Sequence, residues 1–281
     1  MRIPKGGIAF FDSGIGGLTV LNSFLDYCER LKKASIETPN INTLYYYGDN
    51  FRAPYGNLDN KQIFEYVEEA FECFKKLEVR AAVIACNTVT TVCIEKLRKK
   101  YLFPIVGTEP AVFQAAKEGG EIFVLATKAT CCSNRLKILC ESAKSVYPDA
   151  TIKIYPCENL AKLIECGSYP YDFDYPKILP QGKPSAVVLG CTHYIYIKKN
   201  IQSYYQCKIF DGNEGISKRL TELLCEKDNF SNFSEKNEKI KPLMTTTSFL
   251  PSISLKNRQI YFLGGGKMVN KTKYEQMFAL K

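Results

Sequence analysis

The sequence predicts an α/β protein made of two similar α/β domains with mainly parallel sheets, and a ligand site in the cleft between them. Two observations carry that reading. Short apolar runs rich in β-branched and aromatic residues alternate with stretches of helical period, which is the order of βαβ units. An apolar run ending in Cys86-Asn87-Thr88 is also echoed by one ending in Cys191-Thr192-His193. The 281 residues, 46% hydrophobic and 24% charged, are enough for two domains and exclude a disordered or fibrous chain.

The elements follow in order. Residues 7–11 (GIAFF) form a first strand, broken by Asp12-Ser13-Gly14, and a helix is expected over 17–31. Residues 44–47 (LYYY) are a second strand, ended by Gly48-Asp49-Asn50. Over 61–77, the residues Ile63, Phe64, Val67, Ala70, Phe71, Phe74 and Leu77 recur at the spacing of one helical face. Residues 82–85 are then a buried strand. A similar series follows: strand 121–126, helix 133–146, strand 151–155, helix 159–165 and strand 186–189. The expected division is residues 1–103 with 208–281 for the first domain and 104–207 for the second. Residues 226–242 read as a surface loop, 244–263 as strand-like, and Gly264-Gly265-Gly266 as a break.

The charge is +9, with twelve cysteines, one histidine and no tryptophan. More than half of that charge falls in residues 251–281, where Lys256, Arg258, Lys267, Lys271, Lys273 and Lys281 face only Glu275. The pairs Lys32-Lys33, Lys75-Lys76, Lys99-Lys100 and Lys198-Lys199 read as solvated helix faces, and no aromatic-interleaved basic groove accompanies them, so no nucleic-acid partner is expected. The opening MRIPKGGIAFFDSG lacks the apolar stretch of a signal peptide, and no apolar run approaches the ~18 residues of a membrane span. A cytoplasmic protein with no membrane partner and reduced thiols is expected. The absence of C-x-x-C, with a single histidine, argues against a metal site. Most of the cysteines are expected to be small buried hydrophobes.

Two constellations carry chemistry. Asp12-Ser13-Gly14-Ile15-Gly16-Gly17 follows a strand and offers N–H groups to an anion, but it fails the dinucleotide fingerprint, whose last glycine would fall at Thr19. Cys86 and Cys191 sit at matching strand ends, where ligands of such sheets bind. A cysteine hydrolase would use Cys191 with His193 and leave Cys86 idle. Thiols on opposite walls suit instead a reaction in which one base removes a proton from a stereocentre and an acid opposite returns another.

The blocks FFDSGIGGLTVL, YYGDNFRAPYG, IACNTVTT, VGTEPAV and LGCTHY resemble, in order and spacing over residues 8 to 210, those of glutamate racemases within the aspartate/glutamate racemase family. The resemblance implies a cofactor-independent isomerase that interconverts L- and D-glutamate, supplies the D-isomer for peptidoglycan and forms a homodimer. It implies catalytic acid/base roles for Cys86 and Cys191. Asp12 and Ser13 would contact the substrate ammonium and help position the first thiol. Tyr47 and Gly48 would bind substrate through backbone, near the Pro54-Tyr55-Gly56 loop. Asn87, Thr88 and Thr192 would hold carboxylates, Thr127 and Thr130 occupy a T-x-x-T position, and His193 with Glu165 would assist Cys191. Asn50-Phe51 departs from the smaller pair usual before Arg52, and the tail from about Met244 matches poorly. Aspartate racemisation and a non-catalytic anion-binding module are the competing readings. No lysine in either cysteine block offers a Schiff base, so neither a cofactor nor a metal is expected.

Overall fold

A computed structural model describes residues 4–167, 170–228, 247–249, 253–255 and 258–265. The chain begins with β1 (Ile8–Asp12), α1 (Gly17–Lys33), β2 (Thr43–Gly48), α2 (Asn60–Lys76), β3 (Ala81–Ile84), α3 (Asn87–Lys100) and β4 (Ile105–Gly107). There follow α4 (Val112–Ala116), β5 (Gly120–Ala126), α5 (Lys128–Cys131), α6 (Asn134–Val146), β6 (Ala150–Pro156), α7 (Leu160–Cys166), α8 (Tyr175–Ile178), β7 (Ala186–Gly190), α9 (Lys198–Tyr205) and β8 (Lys208–Asp211). Last come α10 (Asn213–Asp228), β9 (Thr247–Phe249), β10 (Ile253–Leu255) and β11 (Arg258–Gly265).

The strands form two sheets, as the alternating pattern predicts. The first has seven strands, ordered β10-β11-β2-β1-β3-β4 with β9 also on β11. Its pairs are parallel from β11 to β4, and only β9 and β10 run antiparallel. The second has four parallel strands in the order β6-β5-β7-β8. Because β4 pairs with β3 and β8 with β7, the chain changes sheets after Gly107 and again after Asp211, a few residues beyond 103 and 207.

Burial explains why these segments are strands. All five residues of β1 are buried, as are all of β3 and β7, since helices cover both faces of a parallel sheet and leave no polar side. Around them α2 shows how a helix is specified locally. Asp59 accepts from the N–H groups of Lys61 and Gln62 at 2.9 Å, and the Gln62 side chain returns a bond to the Asp59 N–H, which closes a capping box. Ile63, Val67, Ala70, Phe71 and Phe74 then face inward. Lys32-Lys33, Lys75-Lys76 and Lys99-Lys100 are exposed in the last turns of α1, α2 and α3, where positive charge complements the helix dipole.

Two expectations are corrected. Residues 226–228, expected as the start of a surface loop, are helix, because α10 buries Ile216, Leu220 and Leu224 on one face and runs on to Asp228; the rest of that expected loop, from residue 229, lies outside the described residues. The glycines at 264 and 265 do not break the chain but end β11. Gly264 is held extended between Gly48 of β2 and Ser248 of β9, and Gly266 lies outside the described residues. No helix among the described residues is long and apolar enough to cross a membrane.

β11 contributes Ile260 and Phe262, both buried, and the Phe262 ring lies 6.2 Å from that of Tyr46. Phe262→Ala is therefore expected to lower the unfolding free energy by about 3–5 kcal/mol, measured by urea denaturation. A change within error would mean that β11 adds nothing to the first sheet.

Candidate active site

Parallel strands direct their carboxyl ends at one edge of a sheet, and side chains that follow those ends converge there. Asp12 is the last residue of β1, Cys86 follows β3 and precedes the first turn of α3, and Cys191 follows β7 ahead of a 3-10 segment, Thr192–Ile197. The first two belong to one sheet and the third to the other, yet Asp12 and Thr192 touch, with the Thr192 hydroxyl donating to Asp12 Oδ2 at 3.1 Å. All four residues are nearly closed to solvent. The cleft between the sheets thus brings both cysteines together with Asp12.

The glycine-rich turn after β1 is what permits that approach. Glu165 of α7 accepts from the Ile15 N–H at 2.9 Å through Oε2, the same oxygen that meets His193 Nε2 at 2.6 Å. A methyl group on Gly14 would overlap the Glu165 carboxylate, and one on Gly16 would stand 2.7 Å from His193 Nδ1. The turn does receive an anion, as its exposed N–H groups suggest, and that anion is a side chain of the other sheet. Tyr46 and Tyr196 hydroxyls brace the turn by donating to the carbonyls of Gly14 at 2.6 Å and Ile15 at 2.8 Å.

The two sulfurs sit in different electrostatic surroundings. Burial pushes the Cys86 thiol up to about 12, and the nearby Asp12 carboxylate adds to this, against the Ser13 hydroxyl at 3.5 Å and the Val89 N–H. Cys191 Sγ instead lies 3.9 Å from His193 Nδ1. Burial alone would make His193 less basic, but hydrogen bonds to Cys191 and Glu165 and the Glu165 charge hold it well above its ordinary value. Glu165 resists its own burial and stays below the usual carboxylate range through His193, the Ile15 N–H and Asn50. Burial raises Asp12 to about 6, opposed chiefly by the charge of His193.

The remaining expected residues fall into two groups. Thr88, Thr127 and Thr130 join through their hydroxyls, at 2.9 Å for Thr88 to Thr127, 3.4 Å for Thr88 to Thr130 and 3.1 Å for Thr127 to Thr130, so α3 of one sheet meets α5 of the other. Asn87 is buried beside Cys86, and its Oδ1 makes no hydrogen bond. A methyl group on Gly56 would stand 3.0 Å from Thr127 Cβ, closer than ordinary contact, so the 54–56 loop is set tightly against this threonine group. The Tyr47 ring is not brought to the cleft: it stacks on Phe11 at 5.7 Å and meets Phe74 edge-on within the core, leaving only backbone near the site, where Gly48 pairs with Asp12. Sequence reasoning missed Asn50, whose amide donates to Glu165 Oε1. Its position inside the YYGDNFRAPYG block was the available signal.

A pH dependence follows from Asp12. A carboxyl raised from 3.8 to about 6 holds a proton in the folded protein that the unfolded chain has released, so it favours folding below pH 4 and that contribution is lost as pH rises through 6. Between pH 4 and pH 7 the native protein is expected to lose on the order of 3 kcal/mol relative to Asp12→Asn, read from paired urea titrations. Parallel pH profiles for the two proteins would contradict the burial of this carboxyl.

No family model matches the chain, but individual proteins do. A glutamate racemase of Clostridium botulinum strain Okra is 35% identical over 230 residues, 78% of this chain and 84% of the relative, and one of Leptospira interrogans is 32% identical over 84% of this chain and 90% of the relative. Among solved structures, Escherichia coli glutamate racemase in complex with L-glutamate and the activator UDP-MurNAc-Ala aligns at a TM-score of 0.64 and 26% identity, covering 79% of this chain and 83% of that one. The Francisella tularensis enzyme, at 23% identity, shares the fold with a TM-score of 0.71 over 99% of this chain and 95% of its own. With cysteines at the same two strand ends that prompted the resemblance, and with relatives above 30% identity over most of both chains, this protein belongs to the glutamate racemase family of isomerases.

Proposed function

We propose that this protein interconverts L- and D-glutamate by proton transfer between Cys86 and Cys191, without a cofactor. The observation that carries the reading is the pair of nearly buried sulfurs at strand ends of opposite sheets, one beside a carboxylate and the other beside a histidine. The relatives' names and the L-glutamate bound to the E. coli enzyme support the substrate.

In one direction a Cys191 thiolate removes the α-proton from one face of glutamate, and the electron pair stays on the α-carbon and spreads into the α-carboxylate. The Cys86 thiol then gives its proton to the opposite face and becomes the thiolate. In the other direction the roles exchange. The α-proton is far less acidic than a thiol, so the barrier must be lowered where charge develops. Asn87, Thr88 and Thr192 are neutral donors placed beside the two cysteines, where they bind carboxylate without protonating the base. Asp12 and Ser13 receive the substrate ammonium, backbone at Tyr47 and Gly48 lines the same edge, and the Thr127–Thr130 pair holds Thr88 in place. Glu165 keeps His193 directed at Cys191.

The reading places the enzyme in the cytoplasm as a homodimer that supplies D-glutamate for peptidoglycan. Its two domains are taken to divide where the chain changes sheets, after Gly107 and after Asp211, a few residues beyond the boundaries expected at 103 and 207, with no nucleic-acid or membrane partner.

Cys86→Ala and Cys191→Ala are each expected to lower racemisation by about 10²–10⁴-fold, measured by circular dichroism of L-glutamate without added cofactor. In D2O the native enzyme should place solvent deuterium on the α-carbon as optical activity is lost. Unchanged racemisation by either variant would overturn the two-cysteine reading.

A further inference from the structure

Glu165 is held from three directions, and one of its partners has no role in the account above. Its Oε2 carries the Ile15 N–H at 2.9 Å and His193 Nε2 at 2.6 Å, while its Oε1 faces the Asn50 amide. The last torsion of a glutamate is broad and nearly two-fold, so the side chain itself does little to fix how the carboxylate plane meets the imidazole. A donor fixed on the other oxygen holds that plane.

Asn50 is fixed in that way by the turn after β2. The Asp49 N–H donates to the Asp12 carbonyl at 3.0 Å, the Arg52 N–H donates to the Asp49 carbonyl at 3.2 Å, and the Asp49 side chain is clamped by Arg52 Nε at 2.6 Å and by the Tyr55 hydroxyl. Asn50 therefore leaves a turn anchored to the strand that ends in Asp12, and its amide reaches a carboxylate of the opposite sheet.

We propose that Asn50 is a positioning residue for proton transfer at Cys191, its amide locking the rotation of the Glu165 carboxylate so that His193 Nδ1 stays directed at the Cys191 sulfur. The proposal rests on the two-cysteine reading. Asn50 acts two residues removed from the sulfur, through Glu165 and then His193, and touches no reacting atom.

The test uses the full-length protein and exploits its single histidine. In Asn50→Ala the ring Nε2–H resonance of His193, unambiguous in a histidine-labelled sample, is expected to exchange with water markedly faster than in the native protein. kcat should fall about tenfold, with KM little changed. The primary isotope effect with α-deuterated glutamate should rise in the direction in which Cys191 removes the proton and fall in the other, because the step at that sulfur becomes the slower one. Asn50→Gln, which restores an amide, should recover part of each change, and Asn50→Ser, too short to reach Glu165, should show the same changes as expected for alanine and serves in its place if the alanine variant does not fold. Native exchange of the His193 proton in the alanine or serine variant, or isotope effects that move equally in both directions, would overturn the proposal. The exchange measurement needs no turnover, so a failure of the two-cysteine reading, seen as full activity in Cys191→Ala, is distinguishable from a failure at Asn50.

Discussion

The contact on which the rest of the site depends is the buried Glu165 carboxylate bound at once to the Ile15 N–H and to His193. A carboxylate taken out of water loses several kilocalories of hydration, and only well-made hydrogen bonds with an opposite charge offset this. Here the donors come from both sheets, so the ion is satisfied only when the lobes are docked. Gly14 and Gly16 are the steric condition for that docking, because a side chain at either would occupy space held by Glu165, Thr192 or His193. Thr192 on Asp12, and Thr88 with Thr127 and Thr130, add further bonds across the cleft.

The two halves place their cysteines by the same backbone device and then surround them differently. Cys86 has the Asp12 carboxylate nearby and the hydroxyl of Ser13, while Cys191 has an imidazole backed by Glu165. Enantiomers have equal free energy in water, so no arrangement of charges can bias the final ratio. What asymmetry can do is assign which sulfur starts with the proton, and hence which enantiomer the resting enzyme takes, while solvent must reset the two sulfurs before the same enantiomer is converted again.

Much of this was legible in the sequence, for physical reasons that can be named. Residues 8–11 and 81–84 are buried on both faces, so they appear as unbroken apolar runs, and α2 announces itself through a stripe from Ile63 to Phe74. The two cysteines stood out because strands of a parallel sheet end where ligands bind. The partners of Glu165 were less visible. Asn50 looked like a departure from a motif because its meaning lies in a residue 115 positions away, and no local pattern records such a contact. The glycine turn suggested an anion site, but not that the anion is part of the chain. β11 was read as strand-like, but its place between β10 and β2 is decided by long-range pairing that the sequence does not show, and two glycines at its end imitate a turn.

That last strand bears on the order in which the molecule can assemble. β2 is bounded on one side by β1, its neighbour in sequence, and on the other by β11, which follows the whole second sheet along the chain. During synthesis the second lobe is therefore complete while the outer edge of β2 still exposes a row of unpaired backbone groups, the kind of edge that recruits other strands. The nascent protein must keep that edge unoccupied until residues 258–265 emerge. A ribosome stalled before them would leave a chain with both cysteines in place and an open, adhesive flank.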